Sequence, residues 1–308
     1  MYIEKMTEKH EEEVLVVLLD KYRRIYKEVA VLPVKYNVDQ LRQLVEYMVK
    51  TNVGYVYIED KVVAFIHLTY VGELFYNKQG VYTAEWAHNL EDVDNLKGLM
   101  LLNKLYDYML SNELKDHTIS LFDHKKDFLM NLFNLSYGSR CLDAHMIVEK
   151  HHYTNNRMRK VIKEDFTDLI GIIDEHHQHL IKPPTIIGRQ FESALEPLNE
   201  WYEEQNVHMY LLEVENQIIG MIKMVHGQSG GCDSSYNDKT LGIETTQLLS
   251  SHQNMGYGRE MIDFMKAYAY DNGFTHIAVD FETMNYRANQ FWLKSFEPTI
   301  RSLIRTIG

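Results

Sequence analysis

Cysteine is almost absent from this sequence of 308 residues, because only Cys141 and Cys232 occur and they fall in different halves. Two distant cysteines exclude a disulfide framework and fit a reduced compartment better. The N-terminal stretch MYIEKMTEKHEEE is charged and lacks the apolar core of a secretion signal. We therefore expect a cytoplasmic protein.

The sequence also lacks long apolar runs and dense clusters of Lys and Arg. No apolar run is long enough to cross a bilayer, so no membrane partner is expected. The 44 acidic and 32 basic residues give a formal net charge of -12. This field repels phosphate backbones, which makes nucleic acid a poor partner.

What the sequence does have is length and an internal repeat. Its 308 residues, 45% of them apolar, suit two hydrophobic cores better than one. Residues 55–68 and 210–224 each alternate as two strands around a polar turn, which predicts a β-hairpin in each half. From residue 82 to 137 a constant offset of 159 relates the halves, so that Glu85 pairs with Glu244 and Phe122 with Phe281.

Each copy of the repeat reads as strand, helices, hairpin, strand, helix, strand, helix and strand. The apolar stripes of the long helices occur at helical spacing, and each stripe leads into a strand, 118–122 or 276–281. A polar segment at 151–157 suits an exposed linker. We therefore predict an α/β protein with one domain at 1–150 and a second at 157–308.

The most informative segment is Gln253-Asn254-Met255-Gly256-Tyr257-Gly258, between a predicted strand and a long amphipathic helix. Glycines before a helix let backbone N–H groups surround an anion, and the helix dipole adds to the attraction. A pyrophosphate suits this turn, although a glycine-rich turn without a ligand is the alternative. The segment is neither a Walker loop nor a dinucleotide fingerprint.

This segment resembles the R/Q-x-x-G-x-G/A motif of the GNAT (Gcn5-related N-acetyltransferase) superfamily, which Gln253, Gly256 and Gly258 match. The segment 285–296, NYRANQFWLKSF, is similar to the family's Asn-x-x-Ala-x-x-aromatic helix. The chain therefore looks like a two-domain acetyltransferase. The resemblance implies two tandem GNAT-like domains, each a mixed, mostly antiparallel twisted sheet with helices on both faces.

The resemblance also implies acetyl-CoA as acyl donor, bound where the fourth and fifth strands of the second copy separate. Its pyrophosphate would lie on the backbone of the loop, and Asn285 would meet the pantetheine arm. The backbones of Leu248 and Leu249 would pair with the amide chain as an added strand does. The implied cofactor-binding residues are Leu248, Leu249, Gln253, Asn254, Met255, Gly256, Tyr257, Gly258, Arg259, Asn285 and Trp292.

The first copy departs from the motif, because its equivalent segment is 94–99, DNLKGL, preceded by Glu91 and Asp92. We read both glycines and the glutamine as lost, and the carboxylates as opposed to anion binding. The first copy is thus predicted to be degenerate. It either forms a wall of the substrate site or serves as a packing partner.

Acetylation of an amine needs a base, and Glu244 is our predicted base. A solvated or ion-paired strand residue is the alternative, since its counterpart Glu85 lies in a copy without the loop. Trp292 stands where many members of the family have a tyrosine that acts as general acid, and an indole cannot donate a proton to a thiolate. The acid is then Tyr286, another tyrosine from elsewhere in the chain, or no residue at all, and Trp292 packs beside the pantetheine or fills core.

The predicted function is transfer of an acetyl group from acetyl-CoA to a primary amine of a small molecule. The alternative is a non-catalytic acyl-CoA-binding sensor or interaction module. An aminoacyl-tRNA-dependent peptidyl transferase is disfavoured by the intact loop and the negative charge. We expect no metal site, since His176, His177 and His179 bring too few ligands to one helix face, and a monomer or homodimer.

Overall fold

A computed structural model describes residues 1–51, 53–74, 78–187, 194–227 and 230–307 of the chain. Its helices and strands alternate along the sequence as predicted for an α/β protein. In chain order they are β1 (Tyr2–Lys5), α1 (Glu11–Glu28), α2 (Val38–Thr51), β2 (Gly54–Ile58), β3 (Val62–His67), β4 (Thr69–Leu74), β5 (Lys78–Thr83), α3 (Asn95–Ser111), β6 (Asp116–Phe122), α4 (Lys126–Asn134), β7 (Gly138–Ile147), β8 (Met158–Lys160), α5 (Phe166–Ile181), α6 (Leu195–Glu203), β9 (Val207–Val214), β10 (Gln217–His226), β11 (Thr240–Leu248), α7 (Tyr257–Asp271), β12 (His276–Glu282), α8 (Tyr286–Trp292) and β13 (Glu297–Thr306).

Contacts divide the chain into two compact units. The first consists of Met1–Leu142 with Pro298–Gly308, and the second is Asp143–Glu297. Our domains of 1–150 and 157–308 stay a prediction, and the compact units differ from them at the terminal strands. The C-terminal strand β13 is part of the first unit, and the end of β7 is part of the second.

The first unit combines antiparallel and parallel strands around one core. β1, β2 and β3 form an antiparallel sheet. β4 pairs antiparallel with β5, β5 parallel with β6, and β6 antiparallel with β13. Helix α1 buries Val14, Leu18, Tyr22 and Ile25, whose spacing places them on one helix face.

The second unit holds the sheet on which the predicted loop is placed. β8, β9, β10 and β11 pair antiparallel, and β11 pairs parallel with β12. The predicted hairpin forms at β9 and β10, with positive φ at both Glu215 (φ 51°) and Asn216 (φ 64°). Two consecutive left-handed residues match the twist of a two-residue hairpin. Helices α5 and α6 pack with this sheet in one apolar cluster that includes Leu169, Leu198 and Met221.

The parallel strands of the two units pair through equivalent residues of the two sequence copies. In the first unit Val81 pairs with His117 and Tyr82 with Thr118. In the second unit Thr240 pairs with His276 and Leu241 with Ile277. Each member of these pairs is displaced by the offset of 159 that relates the two sequence copies. The two units therefore use one strand arrangement, and among the described residues no helix is long and apolar enough to cross a membrane.

A substitution in the last strand is expected to destabilise the first unit. Leu303 is fully buried in that unit's core and pairs with Ile119 of β6. Leu303→Ala should lower the free energy of unfolding by about 2–5 kcal/mol, because it removes buried methyl groups and leaves a cavity. Hydrogen exchange should show faster exchange in β6 with little change in β11. Leu293→Ala, at a side chain that is 41% exposed, is the control, and faster exchange in β11 instead would contradict the assignment.

Candidate functional site

Strands β11 and β12 separate in the middle of the second unit. Their parallel pairing runs from Thr240 and His276 to Ile243 and Val279. Beyond that point β11 continues to Leu248 and β12 to Glu282. The edge of β11 that faces β12 is thus open from Glu244 onward. This is the place at which the resemblance implies that an extended chain is inserted.

The loop after β11 turns the chain sharply into α7. After a single 3-10 turn at Ser250–His252, the backbone is left-handed at Asn254 (φ 63°) and again at Gly256 (φ 90°), the residue before α7. Gln253 steadies this loop, because its Nε2 donates to the carbonyl oxygen of Leu248 at 3.2 Å. A Cβ at Gly256 would have no atom within 4 Å. The glycine is thus required by backbone conformation, and open space lies beside it.

Gly258 is required for a different reason. A Cβ at this position would lie 2.9 Å from Cε2 of Phe291, so the ring of α8 packs directly on the backbone of α7. The two glycines of the motif therefore have different structural roles. Gly256 allows the turn and Gly258 allows close helix packing.

The first turn of α7 carries a buried carboxylate, Glu260, whose charge is compensated locally. Arg157 Nη2 lies 3.0 Å from Glu260 Oε2, and the hydroxyl of Tyr153 donates to Oε1 at 2.8 Å. The segment 151–157, which we predicted to be an exposed linker, thus contacts α7. Neutralisation of Glu260 preserves the attraction of the helix N-terminus for an anion. Met255 and Arg259 are exposed beside it.

Helix α8 holds the other residues predicted from the motif. Asn285 caps this helix, because its Oδ1 accepts from the backbone N–H of Ala288 at 3.2 Å. Trp292 is buried, with ring centroids 4.8 Å from Phe291 and 5.3 Å from Phe296. It therefore fills core, the second of our two alternatives. Tyr286 is 52% exposed at the start of the helix.

Glu244 lies at an irregularity of β11. Lys223 of β10 is opposite Thr245 and Met224 is opposite Ile243, so Glu244 has no direct partner on β10. This bulge breaks the strict alternation that we assumed for the strand. The Glu244 carboxylate forms an ion pair with Lys223, whose Nζ also lies 4.2 Å from the ring centroid of Trp201. The predicted base is thus ion-paired, as in our alternative.

Asp280, which sequence reasoning missed, is the first residue of β12 after the pairing with β11 ends. Burial, together with the nearby carboxylates of Asp143, Glu244 and Glu282, raises its pKa to about 7. Like charges and burial both disfavour ionisation of a carboxyl group. The available signal was a single Asp within the apolar strand IAVDF.

The first unit has replaced the loop with helix. The Asp94 carboxylate accepts from the backbone N–H of Leu96 at 2.9 Å, and α3 begins at the next residue, Asn95. A negative side chain thus caps the helix end that would attract an anion. A degenerate first copy stays a prediction.

The first unit also has a glycine in close contact near the start of its helix. A Cβ at Gly98 would lie 2.7 Å from Cε2 of Phe128, as a Cβ at Gly258 would meet Phe291. Gly98 is the fourth residue of α3, whereas Gly258 is the second of α7. By the offset of 159 the positions of the two motif glycines are Lys97 and Leu99 in the first copy.

A cavity of about 450 Å³ lies in the first unit and does not coincide with the loop at α7. Residues of α1, the start of β3 and the turn before α3 line it, with Glu13, Asp20, Lys61 and Asp92 among them. Over the described ranges, no group of three or more His, Cys, Asp or Glu side chains could hold a metal ion.

Comparison with known proteins finds a family model that matches part of the second unit. Residues 173–296 match the model of the acetyltransferase (GNAT) family. A GCN5-related N-acetyltransferase from Sphaerobacter thermophilus is similar over 85% of this chain and 85% of its own, with 10% identity and a TM-score of 0.51. A search of curated proteins found no match.

Two further solved structures are similar with lower scores. One is a GCN5-related N-acetyltransferase from Kribbella flavida, with 10% identity, 79% of this chain and 85% of its own covered, and a TM-score of 0.45. The other, from Enterococcus faecalis, is described as a probable N-acyltransferase, with 8% identity, 99% and 72% covered, and a TM-score of 0.43.

The chain is thus an α/β protein with the GNAT fold. Residues 173–296 form a GNAT-family domain, and this confirms the resemblance seen in the sequence. A family of acetyltransferases indicates acyl transfer. The loop at Gln253–Gly258 and the separation of β11 from β12 both lie within this domain.

Proposed function

We propose that this protein transfers an acetyl group from acetyl-CoA to a primary amine of a small molecule, with acetyl-CoA bound by the second unit. The observation that carries the proposal is the left-handed loop at Gly256, directly beyond the point where β11 and β12 separate. A single extended molecule with an anionic end fits both features. Its amide chain would extend β11 and its pyrophosphate would bind at the start of α7.

Each predicted cofactor residue has a place in this proposal. The open edge of β11 near Leu248 and Leu249 would bind the amide chain. The backbone from Asn254 to Arg259 would bind the pyrophosphate, with Gln253 holding the loop in position. Asn285 caps the start of α8, and Trp292 packs against Phe296 at the end of the same helix.

The chemistry of the reaction needs few groups from the protein. The nitrogen lone pair of the neutral amine attacks the thioester carbonyl carbon, the C–S bond breaks, and the thiolate of CoA takes up a proton. A thiol with a pKa near 8.5 is a tolerable leaving group without an acid. Tyr286 is well exposed and stays only a predicted acid. The presence of only two cysteines, Cys141 and Cys232, supports a reduced, cytoplasmic location.

Calorimetric titration of acetyl-CoA tests the binding step. We expect one site per chain, because Asp94 occupies the corresponding helix end of the first unit. Gly256→Asp should abolish detectable binding, since it puts a carboxylate and a strained left-handed residue where the pyrophosphate would lie.

Gly273→Asp is the matched control for this titration. Gly273 also has a positive φ (76°) and open space beside it, but it lies beyond the C-terminal end of α7. Normal binding by Gly273→Asp together with loss in Gly256→Asp supports the site. Two sites per chain would refute a degenerate first copy, and no binding by the unaltered protein would refute the proposed function. Binding without CoA release in the presence of a panel of amines would favour an acyl-CoA sensor.

A further inference from the structure

Asp280 occupies a special position in the second unit. The last β11–β12 pair is Ile243 with Val279, so Asp280 is the first residue of β12 at the open edge. In a strand it shares a face with Ala278 rather than with Val279. The carboxylate of Glu244, at the equivalent point of β11, is near enough to act on it electrostatically. Asp280 therefore lies where the two strands separate.

The loop after β10 lies beside this carboxyl group at Gly230. A Cβ at Gly230 would be 3.7 Å from Asp280 Oδ1 and 3.9 Å from Oδ2. The neighbouring Asp143 is held by this loop, because its Oδ2 accepts from the Cys232 backbone N–H at 2.7 Å and from the Ser235 hydroxyl at 2.5 Å. These hydrogen bonds stabilise the charged form of Asp143. A fixed negative charge thus lies beside Asp280.

The other carboxylate at the point where the strands separate is that of Glu244, and it is already ion-paired. It pairs with Lys223, and the aromatic ring of Trp201 covers the Lys223 ammonium group. A proton delivered to Glu244 would break this ion pair. Glu244 is therefore suited to act on its neighbours by charge rather than to accept a proton.

We infer that Asp280 is the catalytic base of this protein and takes a proton from the ammonium form of the acceptor amine. The inference rests on the proposed function and replaces Glu244 in that role. In the step, one N–H bond of the ammonium group breaks and an O–H bond forms on Asp280, leaving a neutral amine. That amine attacks the thioester, the C–S bond breaks, and the proton lost by the new amide nitrogen goes to the CoA thiolate. Water then removes the proton from Asp280.

The electrostatics of the site agree with this role. Burial, together with Asp143 on β7, Glu244 on β11 and Glu282 on β12, raises the pKa of Asp280 to about 7. Lys223 on β10 is paired with Glu244. A base works best when its pKa is near the working pH, since it is then both available and strong enough. The surrounding negative charge also favours a cationic amine over a neutral or acidic acceptor.

Infrared spectroscopy tests the protonation of Asp280 without any acceptor. The unaltered protein should show a protonated-carboxyl band that disappears with a midpoint near pH 7, and Asp280→Asn should lack it. Glu244→Gln should move the midpoint to lower pH, because one negative neighbour is removed. Asp271→Asn, an exposed carboxylate at the end of α7, is the matched control and should leave the band unchanged. A band that persists in Asp280→Asn, or that is absent from the unaltered protein, would overturn the inference.

CoA release with a panel of mono- and polyamines then tests the reaction step. Asp280→Asn should lower kcat by about 10²–10⁴-fold and remove the rise in rate near pH 7, the usual loss for a missing base. Calorimetry with acetyl-CoA should still show one site in this variant. If acetyl-CoA binds and Asp280→Asn keeps its rate and pH profile, then Asp280 is not the base although the proposed function stands. Loss of the same pH limb in Glu244→Gln instead would return that role to Glu244.

Discussion

Acidification from pH 7 to pH 5 is expected to destabilise the first unit by about 3–4 kcal/mol and the second unit by about 1–2 kcal/mol. Two fully buried histidines, His67 and His117, cause the loss in the first unit. Burial lowers the pKa of His67 to about 4 and that of His117 to about 3, with His88 and Arg305 adding to the effect on His117. The contacts of both side chains agree with neutral rings, since His67 Nδ1 has no hydrogen-bond partner and His117 lies between the hydroxyl groups of Thr83 and Tyr137.

The sign follows from proton binding in the two states. A histidine in the unfolded chain has a pKa near 6.5 and takes up a proton below that pH, whereas the buried histidine stays neutral until about pH 4 or 3. The unfolded state therefore binds more protons between pH 6.5 and 4, and stability falls as the pH falls through this window. At pH 5 this amounts to about 2 kcal/mol for each histidine. Asp92 offsets part of the loss, because burial and Glu91 raise its pKa.

In the second unit two histidines act against one carboxyl group. Burial lowers the pKa of both His145 and His176 to about 4, so together they destabilise this unit by about 4 kcal/mol at pH 5. Asp280 has the opposite effect, because its raised pKa of about 7 lets the folded state bind a proton that the unfolded chain does not bind until about pH 4. This contribution offsets about half of the histidine loss, which leaves the first unit as the more acid-sensitive part.

Hydrogen exchange at pH 7 and pH 5, corrected for the intrinsic rate at each pH, separates the two units. Protection should fall further in β6 of the first unit than in β10 of the second. His117→Gln should recover about 2 kcal/mol of the pH-dependent loss, whatever it does to stability at pH 7. Asp280→Asn should bring the acid sensitivity of the second unit close to that of the first. An equal fall of protection in both units of the unaltered protein would contradict this account.

The local parts of the fold could be predicted from the sequence. Alternation and turn residues gave both hairpins, and helical spacing gave the buried face of α7 with Met261 and Met265. The loop from Gln253 to Gly258 was recognisable because a left-handed turn and a close helix contact both demand glycine. These features depend on neighbours in the chain, which periodicity and residue type report directly.

The parts that sequence reasoning missed depend on contacts between distant residues. The bulge at Glu244 is set by the register with Lys223, and the raised pKa of Asp280 needs Asp143 from another strand. Strand β13 looks like the end of the second copy, and only its pairing with β6 assigns it to the first unit. The close contact of Gly98 in α3 with Phe128 in α4 likewise depends on how two helices pack.

Buried Lys21 of α1 is the side chain whose loss should cost the first unit most stability. Its side chain is fully buried, and Nζ donates to the carbonyl oxygens of Glu85 and His88 at 2.7 Å. The same Nζ lies 2.9 Å from Oε1 of Glu91, a carboxylate that is also fully buried. Burial opposes ionisation of Glu91, but Lys21 and His88 outweigh it and hold the pKa of this carboxyl well below its usual range. The ammonium group therefore satisfies three acceptors at once.

Lys21→Met is expected to lower the free energy of unfolding of the first unit by about 3–5 kcal/mol, because it leaves a buried carboxylate with only His88 as partner. Urea unfolding followed by hydrogen exchange in β6 measures the loss. Lys27→Met on the exposed side of the same helix controls for the loss of a lysine and should have little effect. Lys21→Met combined with Glu91→Met should recover part of the stability, since well-packed apolar residues can replace a buried ion pair. If the double variant were less stable than Lys21→Met, the two carbonyl contacts rather than the ion pair would be what Lys21 mainly contributes.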